Sequence, residues 1–389
     1  MNYRKLGNTE LIVSEIGLGT YAVSGVYGRK NPEDIKKVIL KAFELGITYI
    51  DTAPVYGDAE KLLGELLKGT RDKIILSTKF SLIGVNDENI ENYIASSLQN
   101  SLKNLETDYI DLYFVHFDSL ITPVQIIVDT LDKLKKEGKI RYYGIGHINL
   151  DRINEYRKFG NISAYMIEMH PAQIKPYNKI LPIVQKDNSG LIAFSTSGRG
   201  LMSGKIKKQN FEEGDIRNLD PAFYGERLKY GLRIAEKLAQ IGKEYNKSAI
   251  QAGINWILSK PFISCALIGP STIEHLKENI DSVNFKLKED DLKIIDNIIK
   301  EEEENFNKNV LMEIEEIIKN PISRSIENEY KALIYVAEEA IDLGLADEKE
   351  ILPIIQNLLF LKKMDEQKKR AELIEAKERI KSIILKNMP

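Results

Sequence analysis

The sequence predicts an α/β protein built as a closed (β/α)8 (TIM) barrel, with an N-terminal β-hairpin and a small all-helical domain at the C-terminal end. Eight short apolar runs occur between residue 15 and about residue 285, and most are separated by one amphipathic segment. This alternation is typical of parallel strands joined by helical crossovers, and the number of units favours a closed barrel over an open sheet. Of the 25 glycines, Gly344 alone lies beyond Gly269, so the composition changes there.

A β-hairpin is predicted first, in the segment RKLGNTELIVSEI, with Gly-Asn-Thr as its turn. We expect this hairpin to cover one end of the barrel. The eight barrel strands follow as short apolar runs, at residues 15–20, 47–51, 73–79, 109–116, 142–146, 164–170, 191–195 and 265–269.

Amphipathic segments between the strands predict the outer helices. In PEDIKKVILKAFELG, Pro32 suits a first helical position, and apolar residues from Ile35 to Phe43 recur on one face. The segments NIENYIASSLQNSLKNL and PVQIIVDTLDKLKKEGKI repeat this pattern. We expect these helices to surround the barrel.

The chain beyond the barrel predicts a second domain. We place the barrel domain at residues 1–300 and a helical bundle at residues 306–389, joined by an acidic linker. Apolar stripes recur there at helical spacing, for example at Leu333, Ile334 and Ala337. Such stripes are most often the core of the domain itself, and otherwise a face for self-association or for a protein partner.

Composition excludes several classes of protein and site. A net charge of −3 argues against a nucleic-acid or anionic-membrane partner bound through bulk charge. The single cysteine, Cys265, excludes an intramolecular disulfide and four-cysteine metal sites, and it fits a reducing compartment. No apolar signal core follows Met1, and the run ILPIIQNLLFL is too short to span a bilayer. We therefore expect a cytoplasmic protein.

Polar, titratable side chains stand at the ends of three successive predicted strands. Asp51 ends the second strand, and Tyr56 lies in the loop that follows it. The third strand ends at Lys79 and the fourth at His116. Because the carboxyl ends of barrel strands meet at one mouth, we expect the four side chains to converge there. A lone buried lysine or histidine is usually structural, but this joint placement favours a catalytic site.

These four residue types suit proton transfer. A tyrosine hydroxyl has a pKa of about 10, and an adjacent ammonium group favours the phenolate, so we expect Lys79 to lower the pKa of Tyr56 by roughly one to three pH units. Asp51 would pair with Lys79, which is costly to bury alone, and His116 would donate a hydrogen bond to a substrate oxygen. The set holds no strong nucleophile. Because lysine is a poor metal ligand, no metal is predicted either. The set also lacks a reductant, which indicates a hydride-donating cofactor.

Several motifs closely resemble those of the aldo-keto reductases, in the same order and spacing. They are GLGTY, ITYIDTAPVYGDAEKLLGELL, IILSTKF, DYIDLYFVHFD, GKIRYYGIGHIN, LIAFSTSGRGLMSGKI and LIGPSTIEHLKENIDSVNFKL. The resemblance covers about residues 1–290 and leaves the C-terminal helices outside. It implies a (β/α)8 barrel that binds NADPH at its mouth and reduces aldehydes or ketones to alcohols without a metal. It also implies Tyr56 as the proton donor, Lys79 and Asp51 as its tuning pair, and His116 as the group that orients the carbonyl.

The same resemblance implies which residues contact the cofactor. They are Gly19, Thr20, His147 and Phe194 around the nicotinamide, with Asp51 and Ser195 also among the cofactor contacts; Ser197, Arg199, Leu201 and Lys205 at the pyrophosphate; and Gly269, Ser271, Thr272, His275, Glu278 and Asn279 at the adenosine end. Backbone amides of a glycine-rich turn suit an anion. The sequence Pro-Ser-Thr is also a common helix N-cap, and this interpretation stays open.

The chain departs from the family's pattern at both ends of the cofactor. Gly146 and His147 stand where many relatives have a serine–asparagine pair, and Met166 stands where a glutamine commonly binds the nicotinamide carboxamide. At the adenosine phosphate, Gly269 and His275 replace a lysine and an arginine, and a dianionic phosphate prefers fixed cations. The resemblance implies NADPH as the cofactor, and these departures leave NADH open as the alternative.

The substrate pocket is predicted to be aromatic. Tyr21, Phe80 and Phe117 take positions that line the pocket in the family, and Tyr27 is a further candidate. Aromatic walls suit apolar or ring-bearing carbonyl compounds.

Two alternative functions stay open. In the first, the chain is a weakly catalytic or non-catalytic subunit that binds NADP(H) in the barrel and reaches a protein partner through the C-terminal helices. In the second, the barrel carries out phosphate-ester chemistry without a nicotinamide, which would need a metal or a nucleophile that the strand ends do not offer.

Overall fold

The computed structural model describes residues 1–28, 31–85, 89–119, 121–146, 150–206, 211–321, 325–360 and 365–387, with the backbone alone at 359–360. The chain divides into two compact units. The first comprises Met1–Ser203 and Leu238–Leu292, and the second comprises Gly204–Lys237 and Lys293–Pro389.

The strands all belong to the first unit. In chain order they are β1 (Tyr3–Lys5), β2 (Ile12–Ser14), β3 (Ile16–Gly19), β4 (Tyr49–Asp51), β5 (Ile75–Ser81), β6 (Ile110–Phe117), β7 (Ile140–Ile145), β8 (Ala164–Glu168), β9 (Gly190–Phe194) and β10 (Ile263–Ile268). β1 and β2 form an antiparallel hairpin, and β3 to β10 form a closed parallel barrel in which β10 pairs with β3. The predicted (β/α)8 barrel with an N-terminal hairpin is confirmed.

Helices follow most of the barrel strands, as predicted. In chain order, the α-helices of the described residues are α1 (Pro32–Glu44), α2 (Ala59–Leu66), α3 (Ile90–Asn104), α4 (Val124–Lys136), α5 (Leu150–Phe159), α6 (Lys175–Asp187), α7 (Gly225–Glu244), α8 (Ala249–Ser259), α9 (Ile273–Ile280), α10 (Glu289–Lys319), α11 (Ile326–Asp342), α12 (Glu348–Phe360) and α13 (Glu366–Asn387). α1 begins as expected, with Pro32 in its first turn and the side chain of Asn31 accepting a hydrogen bond from the backbone of Glu33.

Two barrel strands extend further than the sequence predicts. β5 runs to Ser81 rather than to Lys79, and β6 runs to Phe117 rather than to His116. Ser81 pairs with Phe117 after a shift in register that passes over His116, so strand pairing resumes beyond both polar residues. Lys79 and His116 therefore lie just inside the strand ends, where paired neighbours fix their backbone.

The hairpin closes the amino end of the barrel. Leu6, Leu11 and Val13 are buried in one core cluster with side chains of the barrel strands, namely Tyr49, Leu112, Phe114, Ala164, Met166, Ile192, Cys265 and Leu267. The approach is close, because a Cβ built on Gly7 would lie 2.2 Å from the backbone nitrogen of Gly190. Apolar packing thus fills the amino end, and the polar residues named above lie at the carboxyl end.

The second unit is helical and includes more than the C-terminal segment. α11, α12 and α13 pack on one another, and Leu333, Ile334 and Ala337 of the predicted apolar stripe are buried. The acidic stretch predicted as a linker is helical and lies within α10.

Residues 204–237 belong to the same unit, and charged groups link this stretch to the C-terminal helices. The guanidinium of Arg227 bonds Glu339 at 2.5 Å and Asp342 at 2.9 Å, and it lies 4.3 Å from the ring centre of Phe306. The placement of a domain boundary between residues 300 and 306 stays a prediction.

Gly7 tests how tightly the hairpin packs on the barrel. Gly7 has a φ of +52°, so Gly7→Ala forces a side chain into the left-handed region and also into backbone at 2.2 Å. Gly69→Ala is the control, since Gly69 has a φ of +76° but, among the described atoms, a Cβ there meets none within 4 Å. We expect Gly7→Ala to cost about 1–3 kcal/mol more than Gly69→Ala in the free energy of unfolding, measured by urea denaturation. Equal losses would show that the hairpin is loosely packed.

Candidate active site

A tight loop after β4 places Tyr56 beside the strand ends. The backbone N–H of Tyr56 donates to the carbonyl of Ala53 at 3.0 Å, and the next residue, Gly57, takes a positive φ of +63°. The chain then enters α2 at Ala59. This turn explains why the sequence has Pro54 and Gly57 around the phenol: one favours the turn and the other permits its backbone.

The four predicted catalytic residues are brought together at the carboxyl end of the barrel. Lys79 Nζ lies 2.6 Å from Asp51 Oδ2, 2.9 Å from the carbonyl oxygen of Thr52 and 3.2 Å from the hydroxyl of Tyr56. The Tyr56 and His116 rings meet edge to face, with centroids 5.9 Å apart. All four side chains are buried, from 3% exposed at Lys79 to 9% at Tyr56.

Burial and charge act against each other in this group. Burial raises the pKa of Asp51, and the neighbouring Lys79 partly offsets that rise. Burial alone would lower the pKa of Lys79, but the charge of Asp51 and contact with Tyr56 outweigh it and raise that pKa. The ammonium group is therefore held charged at neutral pH.

The expected lowering of the pKa of Tyr56 is wrong in its net direction. Burial raises the pKa of this phenol, and Lys79 lowers it by less than burial raises it, while Asp51 adds to the rise. Tyr56 thus stays protonated through neutral and mildly alkaline pH. Tyr56 therefore has a proton to donate at neutral pH, and Lys79 is the neighbouring group that favours the phenolate.

Aromatic rings surround Tyr56. Tyr21 lies 5.0 Å from the ring of Tyr56, Tyr27 lies 6.0 Å from Tyr21, and Phe117 stacks on His116 at 4.2 Å between centroids. Phe80, predicted to line the substrate pocket, is 2% exposed and packs on Tyr113 instead. Successive residues of a strand point to opposite faces, so Phe80 points away from Lys79.

The residues predicted around the nicotinamide lie at the ends of β3 and β9. Gly19 is the last residue of β3, and the hydroxyl of Thr20 donates to the backbone carbonyl of Asp51 at 3.0 Å. Phe194 ends β9, and Ser195 follows with a positive φ of +55°. The predicted contact at His147 lies outside the described residues.

The loop predicted to contact the pyrophosphate is folded on itself. The hydroxyl of Ser197 accepts a hydrogen bond from the backbone of Gly200, and Leu201 is buried. Arg199 has a positive φ of +52° and its guanidinium bonds Glu168 at 2.8 Å. Lys205 belongs to the second compact unit and is exposed.

The residues predicted at the adenosine end lie around the start and the last turn of α9. The hydroxyl oxygen of Thr272 accepts the backbone N–H of His275 at 3.2 Å, so Thr272 is the N-cap of α9. His275 is exposed, while Ser271 and Asn279 are half-buried. Glu278 is half-buried too, and its backbone carbonyl accepts a hydrogen bond from Gln251. Gly269 directly follows β10.

Two sets of residues around the mouth were missed by sequence reasoning. Ser77 donates a hydrogen bond to Asp51 and accepts one from Tyr49, both at 2.8 Å. Arg152 is 8% exposed and bonds Asp118, which directly follows β6, and so anchors the loop behind His116 and Phe117. Ser77 stands two residues before Lys79 and so lies on the same strand face, which the sequence could have indicated. No sequence pattern indicated that Arg152 would bond Asp118.

Neither a metal centre nor a membrane span is found in the part of the chain that the structure describes. Within those ranges, His, Cys, Asp and Glu side chains form no group of three that could hold a metal ion. The helices there are too short or too polar to cross a bilayer.

Removing Lys79 tests the buried ion pair. Lys79→Met leaves Asp51 buried without its counter-ion, and we expect a loss of about 3–5 kcal/mol in the free energy of unfolding at pH 7.5. Loss of Lys79 raises the already raised pKa of Asp51 further, so protonation relieves the penalty as the pH falls toward the ordinary aspartate range. Urea unfolding at pH 5 and pH 7.5 measures this, and the deficit should be smaller at pH 5.

The double variant Asp51→Asn, Lys79→Met is the control for the ion pair. Because it removes both charges, it should recover most of the stability and lose the added pH dependence. A deficit of Lys79→Met that is equal at both pH values would contradict an ionised, buried Asp51.

Comparison with known proteins identifies the family of this chain. The chain matches the model of the Aldo/keto reductase family over residues 15–300, so the C-terminal helices lie beyond the match. It is 31% identical over 310 residues to aldo-keto reductase YhdN of Bacillus subtilis, covering 77% of this chain and 94% of that protein. It is 30% identical over 308 residues to the NADP(+) aldo-keto reductase yakc of Schizosaccharomyces pombe, covering 75% and 89%.

A solved structure shows the same fold. The glycerol dehydrogenase AKR11B4 of Gluconobacter oxydans superposes with a TM-score of 0.69 at 24% identity, covering 83% of this chain and 98% of that one. The chain therefore belongs to the aldo-keto reductase family of oxidoreductases.

Proposed function

We propose that the protein reduces an aldehyde or ketone to the alcohol, using hydride from NADPH and a proton from Tyr56. The observation that carries this proposal is the position of Lys79 Nζ, 2.6 Å from Asp51 and 3.2 Å from the hydroxyl of Tyr56. Tyr56 is protonated at neutral pH and stands beside a fixed ammonium group that favours the phenolate, so it can donate a proton to a developing alkoxide.

Features at the carboxyl end of the barrel fit a dinucleotide. Ser195 Oγ is buried and bonds no other described residue, so it has hydrogen-bonding capacity for a ligand. A Cβ built on Gly19 or Gly269 would come no closer than 3.6 Å to a neighbour, so the backbone there is accessible. The N-terminus of α9 at Thr272 suits a phosphate group. When bound, the nicotinamide would supply the hydride.

Each residue of the catalytic group has a distinct role in this proposal. Tyr56 donates its proton to the carbonyl oxygen, and Lys79 stabilises the phenolate that is left behind. Asp51 holds Lys79 charged and in position. His116, 5% exposed beside Tyr56, orients the carbonyl by a hydrogen bond to its oxygen. The aromatic rings of Tyr21 and Phe117 favour substrates with an apolar body.

We propose NADPH as the cofactor, with NADH as the alternative. Support comes from the family and from the NADP(+) named for the fission-yeast relative. Glu274, in the first turn of α9, argues against a strong preference for NADPH. Its carboxylate accepts hydrogen bonds from its own backbone N–H and from the side chain of Thr272, and these lower its pKa, so it is anionic at neutral pH.

One observation favours a second candidate function, a weakly catalytic NADP(H)-binding subunit. The resemblance aligns Met166 with a glutamine that commonly binds the nicotinamide carboxamide, and Met166 is 5% exposed and packs among apolar core residues. A poorly oriented nicotinamide would allow binding with little turnover. Tight cofactor binding without aldehyde-dependent NADPH oxidation would favour this candidate over the reductase.

The phenol of Tyr56 gives a direct test of the proton donor. Tyr56→Phe keeps the ring but removes the proton, and we expect kcat for aldehyde reduction to fall about 10²–10⁴-fold with the Kd for NADPH unchanged. NADPH oxidation with a panel of aldehydes and fluorescence titration of the cofactor measure the two quantities.

Tyr142→Phe is the matched control for Tyr56→Phe. The hydroxyl of Tyr142 lies by the backbone of Glu10, next to the hairpin at the amino end, so its loss should leave kcat within twofold. Unchanged activity of Tyr56→Phe would rule out the proposed mechanism.

Glu274 tests where the 2′-phosphate binds. Glu274→Gln removes a negative charge from the first turn of α9, and we expect the Kd for NADPH to fall about 2–5-fold while that for NADH is unchanged. Glu289→Gln, in the first turn of α10, is the control and should change neither. An equal change for both cofactors would place the phosphate elsewhere.

A further inference from the structure

A row of hydrogen bonds extends from Asp51 into the barrel interior. The hydroxyl of Tyr49 donates to Ser77 Oγ, and Ser77 Oγ donates to Asp51 Oδ1, each at 2.8 Å. Tyr49 and Ser77 are fully buried. The row joins Asp51 on the side opposite to Lys79, which bonds Oδ2.

Strand register produces this row. Asp51 is the direct partner of Ser77 in the ladder between β4 and β5. Tyr49 precedes Asp51 by two residues and Ser77 precedes Lys79 by two, so all four side chains point to the same face of the sheet. Two neighbouring strands thus contribute two interior positions each.

The hydroxyl of Ser77 has a single proton, and its surroundings determine where that proton points. Tyr49 occupies one lone pair of Ser77 Oγ, and the acceptors within reach are Asp51 Oδ1 at 2.8 Å and the backbone carbonyl of Ile50 at 3.3 Å. Burial raises the pKa of Tyr49 well above its ordinary value, so Tyr49 stays a donor. The shorter, charge-assisted bond to Asp51 is preferred.

We infer that Ser77 and Tyr49 are positioning residues of the site, which hold the Asp51 carboxylate turned toward Lys79 so that Lys79 stays fixed against Tyr56. This inference rests on the proposed function. Without the Ser77 hydroxyl, Asp51 Oδ1 loses its partner and the carboxylate is free to rotate about its last bond. The ammonium group then loses its fixed place beside the phenol, and the chemical step slows while binding is kept.

The titratable groups facing Asp51 come from four parts of the barrel. They are Tyr49 on its own strand, Lys79 on β5, Tyr56 on the loop after β4 and Cys265 on β10. Lys79 and the Ser77 hydroxyl both favour the ionised carboxylate, against the effect of burial. Loss of Ser77 should therefore shift the titration of Asp51 to higher pH.

Ser77→Ala tests the inference by separating kcat from binding. We expect kcat for aldehyde reduction to fall about 5–20-fold, with KM and the Kd for NADPH within twofold. Ser77→Thr keeps a hydroxyl on the same strand and should recover kcat to within threefold of the unmodified protein. Tyr49→Phe, which removes one oxygen atom only, should lower kcat about 2–5-fold and covers the case in which Ser77→Ala fails to fold.

Ser189→Ala is the matched control for loss of a buried hydroxyl. Ser189 is fully buried, its hydroxyl donates a hydrogen bond of 2.9 Å to the carbonyl of Ile162, and it precedes β9 at the amino end. It should leave kcat within twofold. The inference is overturned if Ser77→Ala and Tyr49→Phe keep full kcat, or if their losses appear in KM or cofactor affinity instead.

A second readout separates this inference from the proposed function. The carboxyl ¹³C resonance of Asp51, followed against pH, should titrate at higher pH in Ser77→Ala than in the unmodified chain, while Ser189→Ala leaves it unchanged. An unmodified protein without turnover would end the proposed reductase, and the shifted titration would still support the role of Ser77 in orienting Asp51. An unshifted titration would overturn that role whatever the activity.

Discussion

The ion pair between Lys79 and Asp51 is the interaction on which the mouth of the barrel depends. Removing both charges from water costs several kcal/mol per ion, and the cost is offset only where every donor and acceptor is well bonded. An ammonium group has three protons, and Lys79 Nζ has three oxygens within reach, from Asp51, Thr52 and Tyr56. The position of the Tyr56 hydroxyl is thus set by the same group that neutralises Asp51.

The two ends of the barrel differ in how fully the described residues bond their buried polar groups. On the amino-terminal side, Asp111 is 1% exposed and bonds Arg71 and Arg141 at 2.8 Å each, while the hairpin fills the end with apolar side chains. These groups bond one another and have a structural role. The carboxyl end instead keeps buried hydroxyls such as Ser195 Oγ, which bonds nothing else in the described chain. Packing and paired charges at the amino end stabilise the barrel, and the carboxyl end has polar groups available to bind a ligand.

Sequence reasoning found the barrel and the convergence of Asp51, Tyr56, Lys79 and His116, because alternating strands and helices fix which end of each strand shares the mouth. It gave the wrong sign for the pKa of Tyr56, since the degree of burial depends on side chains distant in sequence. It missed the role of Ser77, because the contact between Ser77 and Asp51 depends on the register between β4 and β5 and not only on the presence of the two strands. The orientation of Phe80 followed from strand alternation and could have been predicted.

The second unit shows the limit of reading helical stripes as binding faces. The helices of its C-terminal segment were predicted from the sequence. The inclusion of residues 204–237 was not, because contacts such as that of Arg227 with Glu339 join residues 112 positions apart. The stripe residues, which the sequence analysis left open between core and partner surface, are largely core, and a buried ion pair joins Lys377 of α13 to Glu329 of α11. A buried ion pair of this kind is costly to break, because one charge is then left without its partner. A protein partner would therefore have to recognise exposed side chains, such as Met312 and Ile374, rather than the stripes.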